Sequence, residues 1–353
     1  MAKSVFYDGT RLLSMKDLNG NTPEIYMVTS NRNAGKTTYF NRYVFNRWVK
    51  HREKFMILVR FSYELNCIED RFFKDIRELF FPTLTMVSEN LVKGKFKELY
   101  VYPNGQEELK ECCGYAVAIN DANVLKNYSH FFTDTVRMIM DEFQSETNKY
   151  CADEITKFRS IHTSVARGRG KQVRYLPVIM MSNTVSIINP YYTALGISSR
   201  ITDTTKFLRG KGFVLECGFN ETASIANKES AFNSAFEDDA YLQYAAQNVY
   251  LNDNNTFIEK MSGKSTYLAT FKFEGKYFAI RSFDEEGLIY CDKRADLTFP
   301  VRVCVTTADH QTNYVMLKNS ELLILKLRYF FNKGVFRFQD LICKDCILRA
   351  LSY

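Results

Sequence analysis

The chain has 353 residues, 46% of them hydrophobic and 25% charged, and a formal net charge of +7 at pH 7; that length suits about two globular domains. No apolar run approaches the roughly 20 residues of a membrane span, and the first 30 residues lack the three-part pattern of a secretory signal, so the chain is expected to stay in the compartment where it is made, with no membrane partner. Nine scattered cysteines are then expected as reduced, mostly buried thiols.

The first apolar run, Glu24 to Thr29, reads as a buried strand and leads into "SNRNAGKTT". A phosphate loop has the form G-x-x-x-x-G-K-[ST]. Its backbone N–H groups cradle phosphates, its Lys reaches the β/γ oxygens and its hydroxyl ligates Mg²⁺. Lys36 and Thr37 fill the last two places after Gly35, but Ser30 stands where the first glycine is usual. Ser is small enough to follow similar backbone geometry. Ser30, Arg32, Asn33, Ala34, Gly35, Lys36, Thr37 and Thr38 are therefore the expected contacts to ATP, opening a helix from Lys36 to Lys50.

Further along come a strand from Phe55 to Arg60 and a helix from Glu64 to Phe80. Leu91 to Asn120 breaks into short pieces around Asn104-Gly105 and reads as an inserted β-hairpin. A strand from Val136 to Met140 ends on Asp141-Glu142. Mg²⁺ needs a carboxylate near the Thr hydroxyl and hydrolysis needs a group to position water; Asp141 fits the first role and Glu142 the second. After a helix from Ala152 to Val165, the strand from Val178 to Met181 runs into Ser182 and Asn183. Asn183 is placed to bond a γ-phosphate or attacking water, or simply to lead into a turn. Alternating buried strands and helices make this region an α/β sheet domain.

The positive charge is local, in "LVKGKFKEL" from Leu91 and "ARGRGKQVR" from Ala166. Such runs are often merely solvated faces, but they also suit a phosphate-rich partner. Arg167 and Arg169 sit in a Gly-rich loop after a helix, a placement open to three readings: an arginine finger for a neighbouring subunit, DNA-backbone contact, or a basic surface loop.

A polar helical stretch from about Glu221 leads into "LNDNNTF", a linker candidate. The expected divisions are 1–220, 221–252 and 253–353. The last begins with three antiparallel strands turning at Glu274-Gly275 and Glu286-Gly287, followed by an amphipathic helix from Glu321 ending on Gly334. Cys343 and Cys346 have C-x-x-C spacing; with only Cys291, Cys304 and His310 nearby in sequence, a helix burying both sulfurs is favoured over zinc.

The early "FY", the loop "SNRNAGKT", "IMDEF", "RGR", "MSNTVSIINPYY" and "FIEKMSGKS" together resemble the genome-packaging ATPase of phi-29-like short-tailed bacteriophages, along almost the whole chain. The resemblance implies a P-loop ATPase of the additional-strand, catalytic-glutamate type, followed by a small α+β RNase H-like domain without its active site. It implies a homo-oligomeric ring, a pentamer, at the portal vertex of a prohead in the host cytoplasm, pumping double-stranded DNA inward and in some members docking on a scaffold RNA. It also implies ATP and Mg²⁺ as ligands, Arg167 as the finger acting in trans with Arg169 as understudy, and Arg60 near the nucleotide. Lys93, Lys95, Lys97 and Lys126 are expected DNA contacts. Ser30 and Asn33 depart from family glycines, and "FSYEL" replaces basic residues after Arg60. "TYLATFKFEGKYFAI" has no Asp on the first strand of the last domain, and Asp284, Glu285 and Glu286 share one turn, so no nuclease is expected. Two other functions stay open: a P-loop helicase or replication ATPase, and a non-hydrolysing nucleic-acid scaffold.

Overall fold

A computed structural model describes residues 6–147, 149–168, 170, 172–198, 200–201, 205–230 and 257–351. The chain divides into two compact units, residues 1–186 with 201–252, and residues 187–200 with 253–353.

The first unit is built on a nine-stranded sheet. Its strands are β1 (Ile25–Ser30), β2 (Lys54–Val59), β3 (Leu84–Leu91), β4 (Phe96–Pro103), β5 (Glu111–Ala118), β6 (Thr135–Met140), β7 (Val178–Asn183), β8 (Phe207–Gly210) and β9 (Phe213–Cys217). The spatial order is β3-β4-β5-β2-β6-β7-β1-β9-β8. From β5 to β9 the pairings are parallel, and β3, β4 and β8 add antiparallel edges. Alternation sorts the central strands: Tyr26, Val28, Phe55, Ile57, Val59, Ile139 and Ile179 join one core, while Met27, Met56, Leu58, Met138 and Met180 are buried as well. A parallel sheet covered on both faces requires such doubly apolar strands.

The helices Lys36–His51 and Ile68–Phe80 supply Phe40, Val44, Phe45, Trp48, Phe72, Phe73 and Ile76 to that core. Each buried aromatic contributes about 2–3 kcal/mol of transfer free energy, so these two helices are held by packing more than by propensity. The region expected as one hairpin is a three-stranded meander starting at Leu84. Its last strand, β5, joins β2 in parallel, with Gly114 opposite Phe55. A Cβ at Gly114 would lie 2.3 Å from the Phe55 carbonyl oxygen, so only glycine permits that approach.

In the second unit, β10 (Thr266–Phe273), β11 (Lys276–Phe283) and β12 (Leu288–Asp292) form the expected antiparallel set. With β13 (Arg302–Cys304), β14 (Val315–Met316) and β15 (Phe336–Phe338), the sheet order is β14-β13-β10-β11-β12-β15. Three antiparallel strands flanked by β13 parallel to β10 and β14 parallel to β13 give an RNase H-type arrangement. Cys343 and Cys346 lie one turn apart in the helix Leu341–Leu351, both buried, and all nine cysteines are free thiols.

Asp292 at the end of β12 is 1% exposed, and its Oδ2 accepts from Arg281 Nε at 2.9 Å and lies 3.3 Å from Arg294 NH2. Both arginines therefore share one carboxylate oxygen of Asp292. Asp292→Ala should destabilise this unit by about 3–5 kcal/mol by stranding the half-buried Arg281, read as an earlier urea transition of the full chain; a shift below about 1 kcal/mol would show that the pair is dispensable.

Candidate active site at the strand ends

Between Ser30 at the end of β1 and Lys36 at the start of the helix, the chain reverses in a tight arc. Asn33 (φ 61°) and Gly35 (φ 90°) both take left-handed backbone. Glycine does so without strain and Asn tolerates it better than most side chains. Ser30 is not among the positive-φ residues, so its position demands no glycine. It lies buried, and its hydroxyl accepts a hydrogen bond from Lys36 Nζ at 2.7 Å while donating to the Asn31 carbonyl at 3.1 Å. Lys36 Nζ also donates to the Asn31 carbonyl at 3.2 Å. Burial lowers the Lys36 pKa to about 8, with Asp141 opposing the shift. The following 16-residue helix has no side-chain cap on its N-terminus, and its first-turn N–H groups make an anion site.

β7 lies between β1 and β6, an additional strand that sets Ser30 in register with Asn183 and Met140 in register with Met180. The loop, the acids after β6 and the asparagine ending β7 therefore converge. Thr37 Oγ1 donates to Asp141 Oδ2 at 3.0 Å. Burial raises the Asp141 pKa, while the bonds from Thr37 and from the Glu142 amide lower it. A hydroxyl and a carboxylate oxygen at that spacing are hard donors that fit Mg²⁺.

Glu142 has φ 54°, a left-handed conformation that costs a non-glycine residue of order 1–3 kcal/mol and must be held in place. Its amide donates to Asp141 Oδ1 at 2.9 Å. From the other side Arg60 donates to the carbonyls of Glu142 at 3.3 Å and Phe143 at 2.8 Å. Desolvation, then the Asp141 and Glu146 carboxylates, raise the Glu142 pKa above the ordinary glutamate value. Asn183 Oδ1 accepts from Lys36 Nζ at 3.4 Å, and its Nδ2 lies 3.5 Å from Glu146 Oε1, which also pairs with Arg32.

A cavity of about 850 Å³ opens over the loop, lined by every residue from Arg32 to Tyr39 and by Asn183. Its far wall is apolar: Phe6, Tyr7, Leu79 and Phe80, with the Arg42 guanidinium 3.9 Å from the Phe80 ring centroid. One end can hold phosphates and the other a planar base.

Other sequence candidates fall elsewhere. Arg60 is not among the cavity residues. It is buried against Glu154, 3.0 Å from Oε2, and donates to the Glu142 and Phe143 carbonyls. Ser30 likewise lies beneath the cavity lining and serves Lys36. Arg167 is exposed in the loop after the helix Glu154–Val165, outside the cavity, and Arg169 lies outside the described residues. Lys93 is exposed in the β3–β4 turn, Lys95 is exposed but paired with Asp121 at 3.3 Å, Lys97 is half-buried and Lys126 is exposed. Sequence reading passed over Glu146, Glu154 and most of the apolar wall; Phe6 and Tyr7, the early "FY", carried a prior signal.

Residues 1–351 match the family described as Podovirus DNA encapsidation protein (Gp16). The DNA packaging protein of Bacillus phage phi29 is 24% identical over 350 residues, covering 98% of this chain and 96% of that protein. That of Bacillus phage B103 is 24% identical over 330 residues, covering 92% and 94%. Among solved structures, the bacteriophage Phi-29 viral genome packaging motor assembly matches with a TM-score of 0.67 at 20% identity, covering 98% of this chain and 100% of that one. The Phi-28 gp11 DNA packaging motor gives 0.62 at 15%, with 99% of each chain covered. The chain belongs to the Podovirus DNA encapsidation protein (Gp16) family.

Proposed function

We propose that the protein is an ATP-driven motor that moves viral double-stranded DNA into a preformed prohead. The observation that carries this reading is the convergence of Lys36, Thr37, Asp141, Glu142 and Asn183 at one end of a sheet whose additional strand separates β1 from β6. In the Phi-29 relative the same fold belongs to a packaging motor assembly, which supports the DNA-moving role.

The loop amides and Lys36 bind the triphosphate, and the apolar wall takes the base. Thr37 and Asp141 hold Mg²⁺, which when bound neutralises charge on the phosphates. Glu142 accepts a proton from, and orients, the attacking water, while Asn183 touches both Lys36 and the acidic side of the site and can register loss of the terminal phosphate. Arg60 keeps the Glu142 backbone in its strained turn. Arg167 lies outside its own subunit's cavity, which suits a finger offered to a neighbour in a homo-oligomeric ring, five copies by the family resemblance, seated at the portal vertex in the host cytoplasm. A scaffold RNA is a further partner of such a ring. Lys93 and Lys126 are the exposed cations free of a recorded ion pair among the four DNA candidates, and phosphate gripping of that kind is sequence-tolerant. The second unit, with Asp292 spent on two arginines, acts as a binding module and not as a nuclease.

Double-stranded DNA should stimulate ATP hydrolysis by the wild type and leave Lys36→Ala at background, and prohead-dependent protection of DNA from DNase should follow the same pattern. Equal hydrolysis by both proteins would overturn the assignment of the site. Unwinding of forked DNA without proheads would overturn the packaging role in favour of a helicase.

A further inference from the structure

The phosphate loop is tied to a second element. Asn31 Nδ2 donates to the Asn220 carbonyl at 3.0 Å, and the Asn220 amide donates back to Asn31 Oδ1 at 2.9 Å, a reciprocal pair. Two turns on, Asn33 Nδ2 donates to Asn227 Oδ1 at 2.9 Å, and Asn227 Nδ2 lies 3.4 Å from the Arg32 carbonyl. Asn220 also caps the helix Glu221–Glu229, its side chain accepting from the Ala223 amide at 2.9 Å. Asn227 is buried. Three consecutive loop residues thus hang on one helix, from its N-cap to its last turn.

We propose that this asparagine clasp, and Asn227 in particular, pre-forms the phosphate loop, so that the Glu221–Glu229 helix sets how tightly the protein holds nucleotide. A loop residue at left-handed φ is costly to keep ordered unless something fixes it. With glycine at position 33 the backbone would be unstrained but unanchored, and more conformations would have to be lost when phosphate binds. Asn33 accepts the left-handed backbone and adds a side chain that reaches the helix. Linkage makes the coupling reciprocal: if the docked helix favours phosphate binding, bound phosphate must favour the docked helix. Asn227 contacts the loop and not the cavity, which makes it a positioning residue.

This inference rests on the reading of the site as a nucleotide site, and the test separates the two. Binding of a fluorescent ADP analogue is titrated with the full-length wild type, Asn227→Ala, Asn33→Gly and the double variant, with Lys36→Ala as the site control. Alanine is a better helix former than Asn, so Asn227→Ala leaves the helix itself sound. Losing a buried hydrogen bond should raise Kd by about fivefold, with Asn33→Gly raising it comparably and the double variant no weaker than the weaker single. For Asn227→Ala the same loss should appear in the KM for ATP and not in kcat. In hydrogen exchange, ADP should slow the 221–229 amides of the wild type and protect those of Asn227→Ala less. Affinities within twofold of wild type, or losses that multiply in the double variant, would overturn the clasp while leaving the site assignment standing. Equal ADP binding by wild type and Lys36→Ala would overturn the site, and the clasp with it. Asn33→Gly alters the contact from the loop side, so the comparison survives even if Asn227→Ala misfolds.

Discussion

Glu142→Gln protein is expected to bind ATP within a few-fold of wild type and to hydrolyse it at least about a hundredfold more slowly, the usual range for removing a positioned general base. The size of the effect follows from geometry. Glu142 is held in a left-handed turn by Asp141 on one side and Arg60 on the other, which fixes the direction in which its side chain leaves the backbone. Gln has the same shape and preserves those backbone bonds, so binding through Lys36 and the loop amides is left intact. Single-turnover hydrolysis measured beside nucleotide binding separates the two. Hydrolysis within tenfold of wild type would remove Glu142 from the chemistry. A parallel loss of binding would mean instead that Glu142 supports the loop.

Arg167→Ala is expected to lower assembled, DNA-stimulated hydrolysis by about a thousandfold or more, as loss of an arginine finger does, without changing nucleotide affinity of the isolated subunit. The side chain is exposed and outside its own subunit's cavity, so the catalytic contact proposed for it is one made to a neighbouring subunit's site. Mixing decides the matter. Arg167→Ala subunits keep Glu142, and Glu142→Gln subunits keep Arg167; where the second kind presents its arginine to the first, the shared site is complete. Hydrolysis should recover at intermediate ratios and vanish at either extreme. No recovery at any ratio, with both proteins incorporated into rings, excludes action in trans and leaves Arg167 to DNA-backbone contact.

The sequence alone determined the strands and helices that carry the candidate site and singled out most of the groups proposed to react. "NAGKTT" after an apolar strand, "MDEF" ending another and "MSN" ending a third are local patterns, and each states its own chemistry. The apolar runs of β1, β2, β6 and β7 are legible for the same reason: burial on both faces leaves no polar residue to blur them. The tertiary structure decided what depends on which strands become neighbours and which of several like residues meet. Only the placement of β7 between β1 and β6 brings Asn183 to Lys36. Ser30 reads as a missing glycine until the lysine folds back onto its hydroxyl. Arg60 and Glu154 are 94 residues apart, Asn31 and Asn220 are 189 apart, and nothing in either short stretch marks its partner among chemically equal residues. Local sequence fixes backbone preference and side-chain chemistry, whereas long-range pairing is settled by how the whole core packs, which is why the loop was readable at once and the asparagines bracing it were not.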